Sequence, residues 1–182
     1  TNILINTHHH HIKIKKFLKK KNYQNSITIV TEKKLLGVYG TLYNNRKFFS
    51  DEDFLVIHTD NYYKGNLKKF ISFSKKNLSF KINLLAFKTS DYKNTGILKI
   101  DKNNILKKIY EKNKKKRGIW ANGAVYYFSK SIWNDLKKEN KKFDLAKDLL
   151  KRYCDKSKVF KTNNFFIDIG IKENLKKLNY SI

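Results

Sequence analysis

Two aspartates follow apolar segments of the sequence. Asp60 comes soon after Phe54–Ile57, and Asp168 comes directly after Phe165–Ile167. In an open parallel sheet, ligands bind beyond the carboxyl ends of the strands, so both acids lie where a ligand is expected. Two carboxylates that meet there can hold a hard divalent cation such as Mg²⁺ and share it with the phosphates of a substrate. Taken singly, each aspartate is more typical of a cap or a turn.

A loop with closely spaced glycines precedes a predicted helix. It spans Leu35–Leu42 and contains Gly37 and Gly40. Glycines in such a loop let the backbone approach a planar or phosphorylated ligand closely. An ordinary turn is the alternative interpretation of the same residues.

The composition is strongly basic. The 182 residues include 41 lysines and arginines against 15 acidic residues, for a formal net charge of +26. Such a charge is typical of nucleic-acid binders. However, nearly all the cations are lysines, and they are spread along the chain. AT-rich codon usage explains this balance without a nucleic-acid partner, so we do not expect one, and polyanion binding stays the alternative.

The composition also excludes other classes of protein. No apolar run approaches the roughly 18 residues that a membrane helix needs, so no membrane partner is expected. The single cysteine, Cys154, rules out an intrachain disulfide framework and fits a reducing compartment. We therefore predict a cytoplasmic protein. Its oligomeric state stays open, with a homo-oligomer as one alternative.

The apolar pattern alternates strands with helices. Predicted strands include Phe54–Ile57, Lys81–Phe87 and Gly123–Phe128. Gly96–Ile100 and Ile105–Tyr110 form a predicted β-hairpin around a short turn. The alternation favours one α/β domain with a mostly parallel sheet.

The order of these segments resembles that of the sugar-phosphate nucleotidyltransferases, the family of enzymes that make NDP-sugars. Asn6-Thr7-His8 is similar to the family's strand-end Asn-Thr-His, and Glu32–Leu42 is similar to its loop E-x-x-L-G-T-A-G-A-L. Further matches follow in the same order: Phe54–Asp60 with F-L-V-x-N-G-D, Gly96–Asp101 with Y-G-V-V-x-x-D, Tyr110–Lys112 with F-x-E-K-P, Ala121–Phe128 with A-N-A-G-I-Y-x-F, Phe143–Leu145 with F-D-L, and Phe166–Glu173 with W-x-D-I-G-T-P-E. The resemblance extends from Asn2 to about Asn179.

The resemblance implies a Rossmann-like, GT-A-like nucleotidyltransferase domain over residues 1–182. This domain has a mostly parallel sheet and a small β-hairpin region. The family signature G-x-G-T-R-L and its later P-K-P do not occur in the sequence. The resemblance therefore also implies a domain that lacks its first strand and its glycine-rich loop.

The resemblance implies a reaction and a role for each matching residue. In the family, the oxygen of a sugar 1-phosphate attacks the α-phosphorus of a nucleoside triphosphate, and pyrophosphate leaves. Asp60 and Asp168 would hold Mg²⁺, and with Lys112 they form the implied catalytic set. The implied nucleotide-binding residues are Glu32, Gly37 and Gly40. The implied sugar-phosphate pocket contains Gly96, Glu111, Lys112 and Asn122, with Lys112 facing phosphate.

The resemblance is nearest to the short mannose and heptose 1-phosphate guanylyltransferases. It therefore implies GTP as the donor and a place in the synthesis of surface polysaccharide or glycoconjugate. Two substitutions depart from the family pattern, because Val38-Tyr39 replaces Thr-Ala and His58-Thr59 replaces Asn-Gly. Tyr39 is bulky for a base pocket, where it would either block the pocket or stack on the base. These changes leave a non-catalytic relative that binds a nucleotide or a partner as the alternative.

Overall fold

A computed structural model describes residues 2–20, 26–49, 51–111, 115–136, 144–170 and 172–179. The chain divides into two units. The first unit comprises Thr1–Ser50 and Lys137–Leu145, and the second comprises Asp51–Leu136 and Ala146–Ile182. The prediction of one domain over residues 1–182 stays a prediction.

A parallel pair of strands forms the first unit together with short helices. β1 (Ile3–Thr7) pairs with β2 (Ile27–Thr31) along their whole lengths. Parallel strands need a crossover connection, and α1 (His11–Lys20) lies within it. α2 (Gly37–Asn44) and α3 (Arg46–Phe49) follow β2. This strand, helix and strand follow the alternation that the apolar pattern predicts.

The second unit contains a mixed sheet around one long strand, β8 (Trp120–Phe128). The other strands of this sheet are β3 (Phe54–Ile57), β5 (Ile82–Lys88), β6 (Ile97–Ile100), β7 (Leu106–Tyr110) and β9 (Ser157–Thr162). Their order is β7-β6-β8-β5-β9, and β3 also pairs with β8. β5 and β9 are parallel, whereas β8 is antiparallel to β3, β5 and β6. The predicted α/β class and the β6–β7 hairpin are confirmed.

One edge of β8 is shared by two strands that leave a space between them. β3 pairs with β8 from Val125 to Phe128, and β6 pairs with it at Ala121. We call the segment between them, Asn122–Ala124, the β8 gap. On the opposite edge the register with β5 shifts at the same place, and Ala124 has a left-handed φ of 47°. Such a bulge bends the strand and changes the direction of its side chains.

A helix and a two-stranded ribbon cover one face of this sheet. The helix is α4 (Leu67–Lys75), and the ribbon pairs β4 (Asn61–Tyr63) with β10 (Phe166–Asp168) in antiparallel fashion. Apolar side chains of both pack against a cluster of buried residues. The buried members are Phe70, Leu85, Val125 and Tyr127.

Several elements differ from the sequence prediction. β4 was not predicted, and β8 begins at Trp120 rather than at Gly123. Asn and Gly disfavour strands, so the start of β8 depends on its pairing with β5 rather than on its own residues. Lys130–Asn134 is a 3₁₀ helix, and Leu145–Leu149 is a π-helical turn before α5 (Leu150–Arg152).

The last helix is α6 (Lys172–Asn179), which follows β10. None of the helices in the described ranges is long and apolar enough to cross a bilayer.

Close packing at the β8 gap predicts a stability effect. A Cβ on Gly123 would lie 2.7 Å from Leu85 Cδ2 and 3.1 Å from Leu85 O. Overpacking of this kind costs about 1–3 kcal/mol, so we expect Gly123→Ala to lower the free energy of unfolding by about that amount in urea denaturation. Gly96→Ala is the matched control, because its Cβ would meet no atom within 4 Å in the part of the chain that the structure describes. Equal stability of the two variants would contradict this packing.

Candidate active site

Asp60 and Asp168 lie side by side where the β4–β10 ribbon meets its flanking loops. Asp168 pairs with Asn61 in the ribbon, and the Ile169 N–H donates to the Asp60 carbonyl at 2.7 Å. The position that a Cβ would take on Gly170 is 3.0 Å from Asp168 Oδ1 and 3.4 Å from Asp60 Oδ2. The two carboxylate oxygens are therefore separated by no more than the sum of these distances. The structure brings the two predicted metal ligands together.

Hydrogen bonds from the backbone and from amides hold this arrangement. The Gly170 N–H donates to Asp168 Oδ1 at 2.8 Å, and Asn174 Nδ2 donates to the Asp168 carbonyl at 2.8 Å. Asn61 Nδ2 donates to the Gly123 carbonyl at 3.2 Å, which fastens the start of β4 to the β8 gap. The ribbon, α6 and the sheet therefore position the two carboxylates jointly.

The residues present fit a divalent cation. Asp60 and Asp168 are exposed, and salt bridges within the described ranges use other acids, namely Asp101, Asp135 and Asp155. Two neighbouring carboxylates repel each other, and a divalent cation between them removes that repulsion. No third His, Cys, Asp or Glu joins them among the described residues. Mg²⁺ suits such a pair, because it keeps several waters and usually takes only one or two carboxylates plus substrate phosphates.

Gly96, Glu111 and Asn122 come together on the β6 side of the β8 gap. The Asn122 N–H donates to the Gly96 carbonyl at 2.9 Å. Ile97 pairs with Tyr110 in the hairpin, so Gly96 and Glu111 are the next residues outward on the two strands. No atom of the described residues lies within 4 Å of the position that a Cβ would take on Gly96, so these residues leave space open above its backbone. Lys112, the fourth residue of the predicted pocket, lies outside the described residues.

The polar groups of this pocket are fixed in different ways. Asn122 Nδ2 donates to Tyr126 Oη at 2.8 Å, and Asn122 Oδ1 accepts from the Ala124 N–H at 3.1 Å. These bonds hold the amide in one orientation. Glu111 Oε1, by contrast, is buried and has no hydrogen-bond partner among the described residues. A buried acceptor without a donor is costly, so a hydroxyl of a ligand would stabilise this carboxylate.

Glu32 belongs to the first unit and is buried there. Its carboxylate accepts from Thr41 Oγ1 at 2.5 Å and from the Leu36 N–H at 3.2 Å. Its backbone N–H donates to the Thr7 carbonyl at 2.8 Å. Glu32 therefore joins the end of β2 to α2 and shapes the loop between them. Its predicted part in nucleotide binding stays a prediction. The geometry is compatible with an indirect part, in which the buried carboxylate shapes the loop and does not contact the nucleotide itself.

The two loop glycines have local reasons for their identity. Gly37 has a φ of 75°, which a side chain disfavours, and a Cβ on Gly40 would lie 2.8 Å from Leu36 Cβ. Their role in nucleotide binding stays a prediction. Tyr39 is only 3% exposed and stacks on Tyr43. Its ring is therefore buried and is not an exposed side chain of the loop.

The comparison with protein families decides the class of the protein. A family model described as nucleotidyl transferase matches residues 1–182. The chain belongs to the nucleotidyl transferase family. The family prediction from the sequence motifs is thereby confirmed, and so is the prediction of an enzyme of this type.

Similar proteins within the family include two curated relatives. The D-glycero-alpha-D-manno-heptose 1-phosphate guanylyltransferase of Campylobacter jejuni is 30% identical over 162 residues, which are 88% of this chain and 70% of the relative. The enzyme of the same name from Aneurinibacillus thermoaerophilus is 25% identical over 179 residues, which are 96% of this chain and 75% of the relative.

A solved structure of the family has the same fold. The crystal structure of HddC from Yersinia pseudotuberculosis complexed with GMP-PN matches with a TM-score of 0.81 at 28% identity. The match covers 98% of this chain and 77% of that one. The predicted nucleotidyltransferase fold class is confirmed by this likeness.

Sequence reasoning missed the residues that support the predicted ones. Gly170 keeps the space between the two aspartates open, Asn61 ties β4 to the β8 gap, and Tyr126 holds the amide of Asn122. The role of Gly170 could have been found from the Asp-Ile-Gly pattern of the sequence, because that pattern places a glycine two residues after the aspartate. The other two depend on pairings across the sheet that no local pattern shows.

Metal binding at the aspartate pair predicts a change in thermal stability. We expect saturating Mg²⁺ to raise the melting temperature of the protein, because a ligand at about 100 times its Kd stabilises the folded state by about 2.7 kcal/mol. Asp60→Asn and Asp168→Asn should each remove most of this rise. In EDTA both variants should be at least as stable as the parent, because one of the two repelling charges is gone.

Glu52→Gln is the control for this experiment, since Glu52 is an exposed acid of the same unit. It should keep the full response to Mg²⁺. A response that persists in both aspartate variants would exclude the pair as the metal site.

Proposed function

We propose that the protein transfers a guanylyl group from GTP to a heptose 1-phosphate, with Mg²⁺ bound by Asp60 and Asp168. Nucleotidyl transfer to a sugar 1-phosphate is the activity that family membership and the curated relatives support. The guanylyl donor and the heptose acceptor extend the names of those relatives to this chain. The observation that carries the proposal is the convergence of the two aspartates beside the β8 gap.

The reaction needs positioning more than covalent catalysis. An oxygen of the sugar 1-phosphate forms a bond with the α-phosphorus of GTP, and the bond from that phosphorus to the oxygen bridging to the β-phosphorus breaks. The products are the GDP-sugar and pyrophosphate. In-line alignment of two phosphates and neutralisation of their charge supply most of the rate in such a transfer. The protein therefore has to hold two anionic substrates in fixed orientation.

The aspartate pair serves the phosphates of the nucleotide. The family generally uses a divalent metal, and Mg²⁺ at this position supplies charge neutralisation for the phosphate oxygens. The hydrogen bond from the Gly170 N–H to Asp168 Oδ1 orients the Asp168 carboxylate for metal binding. Asp60 is placed by the bond from the Ile169 N–H to its carbonyl. Backbone bonds of this kind keep both carboxylates near their binding positions before a ligand arrives.

The pocket around the β6 end of the gap serves the sugar. The open space over Gly96 admits a ring close to the backbone. Glu111 Oε1 accepts a hydroxyl of the sugar, since no donor in the described residues satisfies it. Asn122 stands between these two residues and the aspartates, with its amide fixed by Tyr126. Lys112 follows Glu111 in the sequence, and the family resemblance gives its ammonium the phosphate of the acceptor as a partner.

The nucleotide base belongs to the loop of the first unit in this proposal. Gly37 and Gly40 lie in the first turn of α2 directly after this loop, and Glu32 holds the loop in shape. We assign no contact to the base beyond these residues. A substrate that is a nucleoside triphosphate favours a cytoplasmic location for the reaction.

The direct test is an assay of pyrophosphate release. With GTP, Mg²⁺ and a heptose 1-phosphate, we expect release that exceeds the rate with ATP, CTP or UTP. Asp60→Ala and Asp168→Ala should each lower kcat/KM by about 100-fold or more, because each removes charge neutralisation in the transition state. Glu52→Gln should retain the parent rate. Pyrophosphate release that survives both alanine changes would overturn the metal assignment.

A second variant tests whether the sugar binds at Gly96 without changing the stability of the fold. Gly96→Ala adds a methyl group in open space, so the melting temperature should stay within about 1 °C of the parent, in line with a surface change of a few tenths of a kcal/mol. If the sugar binds there, the KM for the sugar 1-phosphate should rise about tenfold or more, while the KM for GTP stays unchanged. A KM for the acceptor that does not move would place the sugar elsewhere.

A further inference from the structure

Two lysines of the second unit share one tryptophan ring. Lys88 Nζ lies 5.8 Å from the centroid of the Trp120 ring, and Lys161 Nζ lies 5.7 Å from it. Both lysines are exposed, and the tryptophan is half-buried. The aromatic ring attracts each ammonium, and the two nitrogens are separated by no more than the sum of these distances.

The sheet register sets the position of this pair. Lys88 stands opposite Trp120, and Ala86 stands opposite both Asn122 on β8 and Lys161 on β9. Side chains two positions apart on a strand share a face, so the lysines and the ring lie on the same face as Asn122. With Ala86 between them, Lys161 and Asn122 are about 10 Å apart, the width of two strand spacings. The pair also lies at the carboxyl ends of the parallel strands β5 and β9, where ligands bind in such sheets.

The charges of the pair are not balanced by nearby acids. Among the described residues, the salt bridges involve Lys81 and Lys107 but neither Lys88 nor Lys161. Two ammonium groups on one ring repel each other, and the attraction of the ring offsets this repulsion only in part. An anion that reaches both ammonium groups beside the ring would satisfy them, since each can donate up to three hydrogen bonds.

We propose that Lys88, Lys161 and Trp120 form a binding site for a phosphate-type anion. The site is distinct from the aspartate pair and from the predicted sugar-phosphate residues, although it shares a sheet face with Asn122. The anion is either the phosphate of a sugar 1-phosphate or free phosphate or pyrophosphate. The proposal does not depend on the proposed transfer reaction, because binding alone tests it.

Trp120 itself reports on the site. The sequence contains two tryptophans, Trp120 and Trp133, so Trp133→Phe leaves Trp120 as the one indole. Phenylalanine preserves an aromatic partner for Phe54, on which Trp133 stacks. In this background we would titrate inorganic phosphate, pyrophosphate and mannose 1-phosphate and record indole emission. Sodium chloride at matched ionic strength and free mannose are the reference titrations.

The test variant is the double change Lys88→Gln with Lys161→Gln. The matched control is Lys158→Gln, which removes a lysine of the same strand that stacks on a different ring, Phe80, at 5.2 Å. We expect saturable emission changes with the phosphate anions and none beyond the chloride reference. The double variant should bind at least about tenfold more weakly, as expected for lost charge-assisted bonds, and the control should bind like the parent.

The outcomes separate the sources of the anion. Tighter binding of mannose 1-phosphate than of inorganic phosphate identifies the phosphate of a sugar 1-phosphate as the ligand, and a preference for pyrophosphate or phosphate identifies a free anion. The proposal fails if the double variant titrates like the parent, if chloride reproduces the change, or if no phosphate compound changes the emission. Circular dichroism of each variant confirms that the fold is kept.

Discussion

The hydrogen bonds made by the β8 gap are the constraint on which the site depends. If β8 had one unbroken strand on the edge opposite β5, all its peptide groups would form regular hydrogen bonds with its two neighbouring strands. In the β8 gap, the Ala124 carbonyl accepts the His58 N–H, the Gly123 carbonyl accepts Asn61 Nδ2, and the Asn122 N–H donates to Gly96. Buried peptide groups need partners, so these bonds end β3, anchor β4 and start β6. The elements that carry the proposed metal ligands and the sugar pocket are therefore bonded to the same interrupted strand edge.

Electrostatics distinguishes the carboxylates that could take part in binding. Asp60 and Asp168 are exposed and close together, in a chain with a net charge of +26. An arrangement that leaves them beside each other is unfavourable by itself, and residues kept in such a state are typical of binding sites. Glu32 has the opposite environment, because burial and donors from Thr41 and Leu36 satisfy it. The first two carboxylates can accept a cation, whereas the third one holds a loop.

Parts of this architecture could be predicted from the sequence because they depend on local patterns. Phe54–Ile57 is uniformly apolar, and the hairpin around Asp101 has a clear turn. The proximity of Asp60 and Asp168 was expected from the rule for parallel strands and from the family resemblance. In the structure it arises differently, because β10 pairs antiparallel with β4, a strand of Asn and Tyr without an apolar signal. The proximity was therefore predicted for a geometric reason that is partly wrong, and the metal-binding role of the two residues stays a prediction.

The bulge of β8 and the close packing of Gly123 could not be predicted in full, because each depends on how β8 pairs or packs with another segment. The bulge at Asn122–Ala124 is a shift in the register of β8 against β5, and the one sign of it in the sequence of β8 is Gly123. The same holds for Gly123, whose lack of a side chain is required by Leu85 on the neighbouring strand and by Phe166 on the ribbon. A glycine within a strand indicates a close approach of something, yet only the fold identifies the neighbour. The site is thus encoded by contacts between segments distant in sequence, while the sequence motifs identify the residues that these contacts bring together.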